Sequence, residues 1–176
     1  RKGDWNWGNV QSTAPGCLVA GDKLHIYVSG RAGKGYPGCD EHDAGCATGL
    51  ATLRRDGFAS MDAGEGGGAL TTRPVRFSGK NLFVNVDAPD GELTAEVLDD
   101  GNEPIAPFSQ ANCVSIRGDH TKQKVSWKAG ADLSQLAGRP VRFRFHLRRG
   151  KLYAVWVSPD ESGASNGYAY GKGALP

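Results

Sequence analysis

Val141-Arg142-Phe143-Arg144-Phe145-His146-Leu147-Arg148 alternates apolar and basic residues without a break. On an extended chain successive side chains point to opposite faces, so Val141, Phe143, Phe145 and Leu147 share one side and Arg142, Arg144, His146 and Arg148 the other. Wound into a helix, the same residues would scatter around the axis and bury charge. The segment therefore predicts a strand with one face in a core and one in water. Alternation of the same kind recurs at Cys17–Ala20, Leu24–Ser29, Leu50–Arg54, Ala69–Thr72, Val75–Phe77, Asn81–Val86, Leu93–Asp99, Gln123–Lys128 and Leu152–Ser158. Ten strands call for two packed sheets, and the fold class expected is all-β: a two-sheet β-sandwich of jelly-roll or concanavalin-like type.

The punctuation between these runs agrees. Among 176 residues there are 26 glycines and nine prolines, which favours many turns over long helices. Ala88-Pro89-Asp90-Gly91, Asp99-Asp100-Gly101-Asn102 and Arg148-Arg149-Gly150-Lys151 each read as a hairpin turn with Gly where positive φ is wanted. One helical turn is expected at Asp132-Leu133-Ser134-Gln135-Leu136-Ala137-Gly138, with an Asp cap and a Gly stop. Composition shifts near Arg54 to Phe58. Residues 1–55 hold two tryptophans, three of the four cysteines and a Gly-rich loop, and read as a blade-like N-terminal β subdomain. Residues 56–160 read as the sandwich and 161–176 as a flexible or loosely docked tail.

Charge and targeting signals narrow the function classes. Twenty-one Lys and Arg face 19 Asp and Glu, spread along the chain, so no basic surface for nucleic acid is expected. No apolar run approaches the ~18 residues of a membrane span, and no membrane partner is expected. The N-terminus lacks an initiator Met and a signal-peptide apolar core, which suggests a processed or excised piece of a longer protein. Without a CxxC pair no zinc site is expected, and the cofactor expectation is none. A structural calcium near Asp87, Asp90, Asp99 and Asp100 is the one exception considered, without a calcium-loop motif to support it. Cys39 and Cys46 bracket a short loop that would close a small disulfide in an exported protein and hold two thiols in a reducing compartment.

Leu50-Ala51-Thr52-Leu53-Arg54-Arg55-Asp56-Gly57-Phe58-Ala59-Ser60-Met61, then Thr71-Thr72-Arg73-Pro74-Val75, Asn81–Val86, Gly91–Asp99, Ala131-Asp132-Leu133 and Pro140–Phe145 carry a further signal. Together they resemble the C-terminal region of bacterial proteins similar to family 32 glycoside hydrolases. The resemblance covers most of the chain. It implies a β-sandwich from about residue 58, preceded by part of the last blade of a propeller between Asp4 and Arg31. The family's hydrolytic motifs, a WMNDPN-like nucleophile segment, an RDP segment and an EC segment, are absent from this sequence. Arg55-Asp56-Gly57 is similar to RDP but ends in Gly, so no catalytic role is carried onto Asp56.

Three readings follow. The first is a non-catalytic carbohydrate-associated module that binds an oligo- or polysaccharide or supports a catalytic propeller, with self-association through unpaired strand edges as a related outcome. Its ligand-binding candidates are Asp4, Trp5, Asn6, Trp7 and Asn9: on an extended chain Trp5 and Trp7 would form a platform for sugar faces, with the polar residues bonding hydroxyls. Arg142, Arg144 and His146 are candidates for contact with an acidic glycan. A second reading is a compact hydrolase using Asp4, desolvated by the tryptophans, with a second carboxylate such as Asp56. A purely structural domain is the third. An extracellular or periplasmic location fits a glycan partner.

Overall fold

The computed structural model describes residues 1, 3–12, 16–33, 45–128 and 130–164. It is an all-β protein with two antiparallel sheets, consistent with an all-β sandwich. In chain order the strands are β1 (Asn9–Ser12), β2 (Leu18–Ala20), β3 (Lys23–Arg31), β4 (Cys46–Arg54), β5 (Met61–Ala63), β6 (Gly68–Thr71), β7 (Asn81–Leu98), β8 (Ile116–Lys124), β9 (Arg142–Arg148) and β10 (Gly150–Ser158). The chain divides into two compact units, one of residues Arg1–Phe58 and one that begins at Ala59.

The first unit is a small sheet built on β3. Strands β1 and β2 lie end to end along one edge of β3, and β4 pairs with the other edge from Lys23↔Arg54 to Arg31↔Cys46. Few apolar side chains are buried in it; Leu24 and Ala32 are the examples among the described residues. Val10, Leu18, Val19, Tyr27 and Leu50 stay exposed.

The second unit is organised by a long ribbon. Strand β7 runs for 18 residues, and β9 and β10 follow one another along the same edge of it: β9 pairs with Glu92–Leu98 and β10 with Asn81–Asp87. Two of the expected hairpins are thereby corrected. At Ala88–Gly91 and at Arg148–Lys151 the chain does not reverse; the two segments face each other across one shared kink. Arg149 takes φ 47°, and register shifts mark the bulges that bend the ribbon there. The glycines serve close approach at this point. A Cβ on Gly91 would stand 1.8 Å from the Arg148 carbonyl oxygen, and one on Gly150 would stand 2.8 Å from that of Asp87.

Neighbouring strands follow the same bend. Strands β5 and β6 pair in line with β10 and β9, and β8 pairs with β7 on both sides of the kink. The halves of the sheet close over one core. Leu82, Val84 and Val86 from one half meet Leu93, Ala95 and Val97 from the other, with Phe143, Phe145 and Leu147 of β9. Strand β9 thus places its apolar set inward as its alternation predicts. Phe108 and Trp127 complete the packing edge to face at 5.1 Å, and the Trp127 Nε1–H donates to the Ala95 carbonyl at 3.3 Å. Burial of this set supplies the main stabilisation, at ~25 cal/mol per Å² of apolar surface removed from water.

Other expectations shift in detail. Val75 makes an isolated bridge to Val141 rather than opening a strand, and β8 starts at Ile116 and ends at Lys124, where Gln123–Lys128 was expected. The Gly118-Asp119-His120 stretch lacks apolar alternation, and it is strand because β7 offers it an edge. The helical turn is a short 3₁₀ segment, Leu133–Leu136, capped by Asp132 accepting from the Ser134 N–H. Asp99-Asp100-Gly101-Asn102 is a true turn, closed by Asn102 N–H to the Asp99 carbonyl and by Asp99 Oδ1 accepting from Gly101 and Glu103. Residues 161–164 are docked: Lys124 bonds Glu161, the Trp156 indole donates to the Gly163 carbonyl, and Ser158 Oγ donates to that of Ala164. The remainder of the expected tail, 165–176, lies outside the described residues.

Candidate functional site

The outward face of β7 and β9 carries the densest polar constellation. The register sets Glu92 opposite Arg148, Thr94 opposite His146 and Glu96 opposite Arg144, so each side chain leaving the core on one strand meets a complement on the other. Glu92 accepts from Arg148 at 3.1 Å, Arg117 at 2.6 Å and Ser115 at 3.0 Å. Glu96 is buried, with its Oε1 3.0 Å from His146 Nε2 and 3.3 Å from Arg144 Nη1. Gln110 adds its backbone N–H to Glu96 Oε2 and its side-chain amide to Thr94 Oγ1. Over Glu92, Thr94, His146 and Arg148 of this set opens a groove of about 450 Å³, walled by Gly66–Gly68 and Gln110.

The electrostatics hold both acids ionised. The Arg148 and Ser115 hydrogen bonds and the Arg117 charge lower the Glu92 carboxyl below the ordinary glutamate value. Burial pushes Glu96 the other way, but the His146 and Gln110 hydrogen bonds and the charges of His146 and Arg144 together outweigh it, and it too is lowered. Asp62, Asp132, Asp160 and Glu161 are displaced downward as well. Glycoside cleavage requires a carboxyl group that stays protonated near neutral pH. Glu92 and Glu96 are held in the opposite state. Fixed acceptors and fixed donors side by side are instead suited to hydroxyl groups, which donate and accept at once.

The residues singled out from sequence meet only in part. Arg144 and His146 converge on Glu96, so both side chains are already engaged. Arg142 turns away and donates to the Thr72 carbonyl, while its Nε is buried without a partner. Residues 3–8 form a turn, not an extended segment, closed by Asp4 N–H to Arg1 and Trp7 N–H to Asp4. The expected extended-chain platform of Trp5 and Trp7 is therefore corrected. Trp5 lies over Gly30 of β3 and Gly49 of β4, where a Cβ would come within 2.1 and 2.4 Å of its ring. Trp7 stays exposed, Asn6 and Asn9 are half-buried, and the Asp4 carboxylate meets the Arg1 amino group at 2.6 Å. With its side chain 54% exposed, Asp4 is not desolvated by the tryptophans. Asp56 sits at φ 52° beyond β4, 3.7 Å from Arg55.

Cys46 is a free thiol beside Arg31 Nη1 and Ser29; its expected partner Cys39 lies outside the described residues. Asp99 spends its carboxylate on its own turn, and among the described residues no three His, Cys, Asp or Glu side chains converge for a metal ion. Glu92, Thr94, Glu96 and Gln110 were not singled out from sequence. The signal was present in Glu92-Leu93-Thr94-Ala95-Glu96, whose polar residues share the parity that faces the basic side of β9. No family model, curated protein or solved structure matches this chain.

Proposed function

We propose that this chain is a non-catalytic carbohydrate-associated β-module that binds a glycan in the groove over β7 and β9, as an accessory part of a family 32 glycoside hydrolase-like protein acting outside the cell. The observation that carries the reading is the line of paired donors and acceptors on the floor of that groove, Glu92 with Arg148, Thr94 with Gln110, and His146, which is paired with the buried Glu96. Pre-formed pairs keep each polar group oriented before the ligand arrives, which lowers the ordering cost of binding. Because the basic residues already face carboxylates, a neutral polysaccharide suits this floor better than a strongly acidic one.

The test pairs two readouts on the full chain: retention on insoluble and soluble polysaccharides, and reducing sugar released in the same tubes. Retention without release is expected, weakened about tenfold by Arg148→Ala through loss of a charge-assisted contact worth ~1.5 kcal/mol. Retention that survives Arg148→Ala but not Trp7→Ala moves the site to the N-terminal turn. Sugar release abolished by Asp4→Asn replaces the module with a hydrolase. A second reading, docking to a catalytic propeller, is favoured by the exposed Leu18, Val19 and Tyr27 on the first sheet, and predicts binding to that domain in place of glycan.

A further inference from the structure

Strand β4 is nine residues long, and its register with β3 runs from Lys23↔Arg54 to Arg31↔Cys46 without a shift. The bonds that continue this ladder fix its phase. Ala32 N–H donates to the Gly45 carbonyl at one end and Arg55 N–H to the Asp22 carbonyl at the other. In an antiparallel pair, residues that exchange bonds alternate with residues that turn their N–H and C=O away. Odd-numbered residues of β4 therefore face β3, while Cys46, Thr48, Leu50, Thr52 and Arg54 turn their backbone groups to the far side. Among the described residues no strand pairs with that side. Such edges are normally guarded. The other outer strands are: β1, β2, β5 and β6 have only three or four residues, and β8 carries Lys122, Lys124 and a shifted register. Strand β4 has no proline, no bulge and no charged residue before Arg54.

The sequence of this edge names its occupant. Turned end for end about Leu50, β4 matches itself: Leu50 meets Leu50, Thr48 meets Thr52 and Cys46 meets Arg54. Every outward-turned residue then meets another, and no like charges stand directly opposed. Side chains agree with the backbone. Leu50 and Tyr27 are neighbours across β4 and β3, 49% and 45% exposed. A two-fold pairing joins them to the partner's Leu50 and the partner's Tyr27 in one continuous apolar row, and sets Thr48 beside the partner's Thr52. On the other face Gly49 meets the partner's Ala51, small residues that leave the Trp5 ring in its seat. At the ends the nearest like charges, Arg31 and the partner's Arg54, are two strand spacings or ~10 Å apart, about one Debye length at 0.1 M salt. We infer that β4 is the contact of a two-fold dimer of this chain, in which two antiparallel β4 strands join the two small sheets into one. The contact uses no residue of the glycan groove, and either can exist without the other.

The experiment is sedimentation velocity on the full chain, with reductant present because Cys17 and Cys46 are exposed thiols. One paired edge makes a small interface, so a reversible dimer with Kd on the order of 10 µM is expected. Leu50→Lys and Leu50→Glu each place like charges on the two-fold axis and should each weaken association about tenfold or more. An equimolar mixture of these two variants should associate more tightly than either alone, because opposite charges then meet on the axis. Thr52→Pro removes an N–H that β3 does not use; it should abolish the dimer with the circular dichroism spectrum unchanged, and it decides the matter should the Leu50 variants lose structure. Arg148→Ala, which reduces polysaccharide retention in the glycan reading, should leave the dimer intact. A monomer at every concentration, a dimer unchanged by Leu50→Lys or by Thr52→Pro, a mixture no tighter than its components, or growth beyond a dimer would each overturn the inference.

Discussion

Gly91→Ala probes the kink on which the second unit depends. The new methyl carbon would lie 1.8 Å from the Arg148 carbonyl oxygen and 2.4 Å from that of Arg149. Carbon does not approach such atoms within about 3.0 Å, so the ribbon must part by more than about 1 Å at that point. Both obstacles are backbone, and no side-chain rotation relieves them. Parting separates the Glu92↔Arg148 pair and its neighbour, forfeiting about two ladder hydrogen bonds at ~1 kcal/mol each. It also loosens the packing of Leu93 and Leu147 beneath, at ~1–3 kcal/mol. Against this stands ~0.4–1 kcal/mol from the stiffer unfolded chain. The net loss is about 3 kcal/mol. For a cooperative unit of ~100 residues that corresponds to a fall in Tm of at least ~12 °C. Differential scanning calorimetry and urea unfolding monitored by near-UV circular dichroism measure it, with Gly64→Ala as control, since nothing lies within 4 Å of a Cβ there. A Gly91→Ala loss below ~1 kcal/mol would refute the kink geometry.

Further outcomes follow from the same contacts. Because Glu96 titrates below its ordinary value when folded, its contribution to stability is complete above that value of 4.5 and is lost as pH falls beneath it. Urea unfolding between pH 7 and pH 3 should therefore show stability declining below about pH 4.5, with a shallower decline in Glu96→Gln; equal slopes in the two proteins would contradict the assignment. At pH 7 Glu96→Gln itself should cost ~1–2 kcal/mol, less than a fully enclosed pair, because Arg144 and His146 retain access to water. In the first unit, Gly49→Ala should push Trp5 from its seat and shift tryptophan emission to the red, while Gly66→Ala in the second unit, where nothing lies within 4 Å of a Cβ, should leave emission unchanged.

The alternation of Val141–Arg148 was sufficient, without tertiary information, to determine which face of β9 enters the core, and its recurrence along the chain to determine the all-β class, because a two-residue period leaves an extended strand only one way to bury its apolar set. It likewise determined the turn at Asp99–Asn102, where one Asp side chain closes the backbone locally. Only the tertiary structure decided what Pro89-Asp90-Gly91 and Arg149-Gly150 do. Glycine permits a reversal and a close crossing alike, and the choice depends on a strand more than fifty residues away. The candidate site divides in the same manner. Arg144 and His146 announced themselves as a basic strand face, but Glu96 turned that face into paired donors and acceptors. Glu92 and Arg148 meet only once β9 has paired with β7, since spacing along the chain carries no information about contacts that close across it.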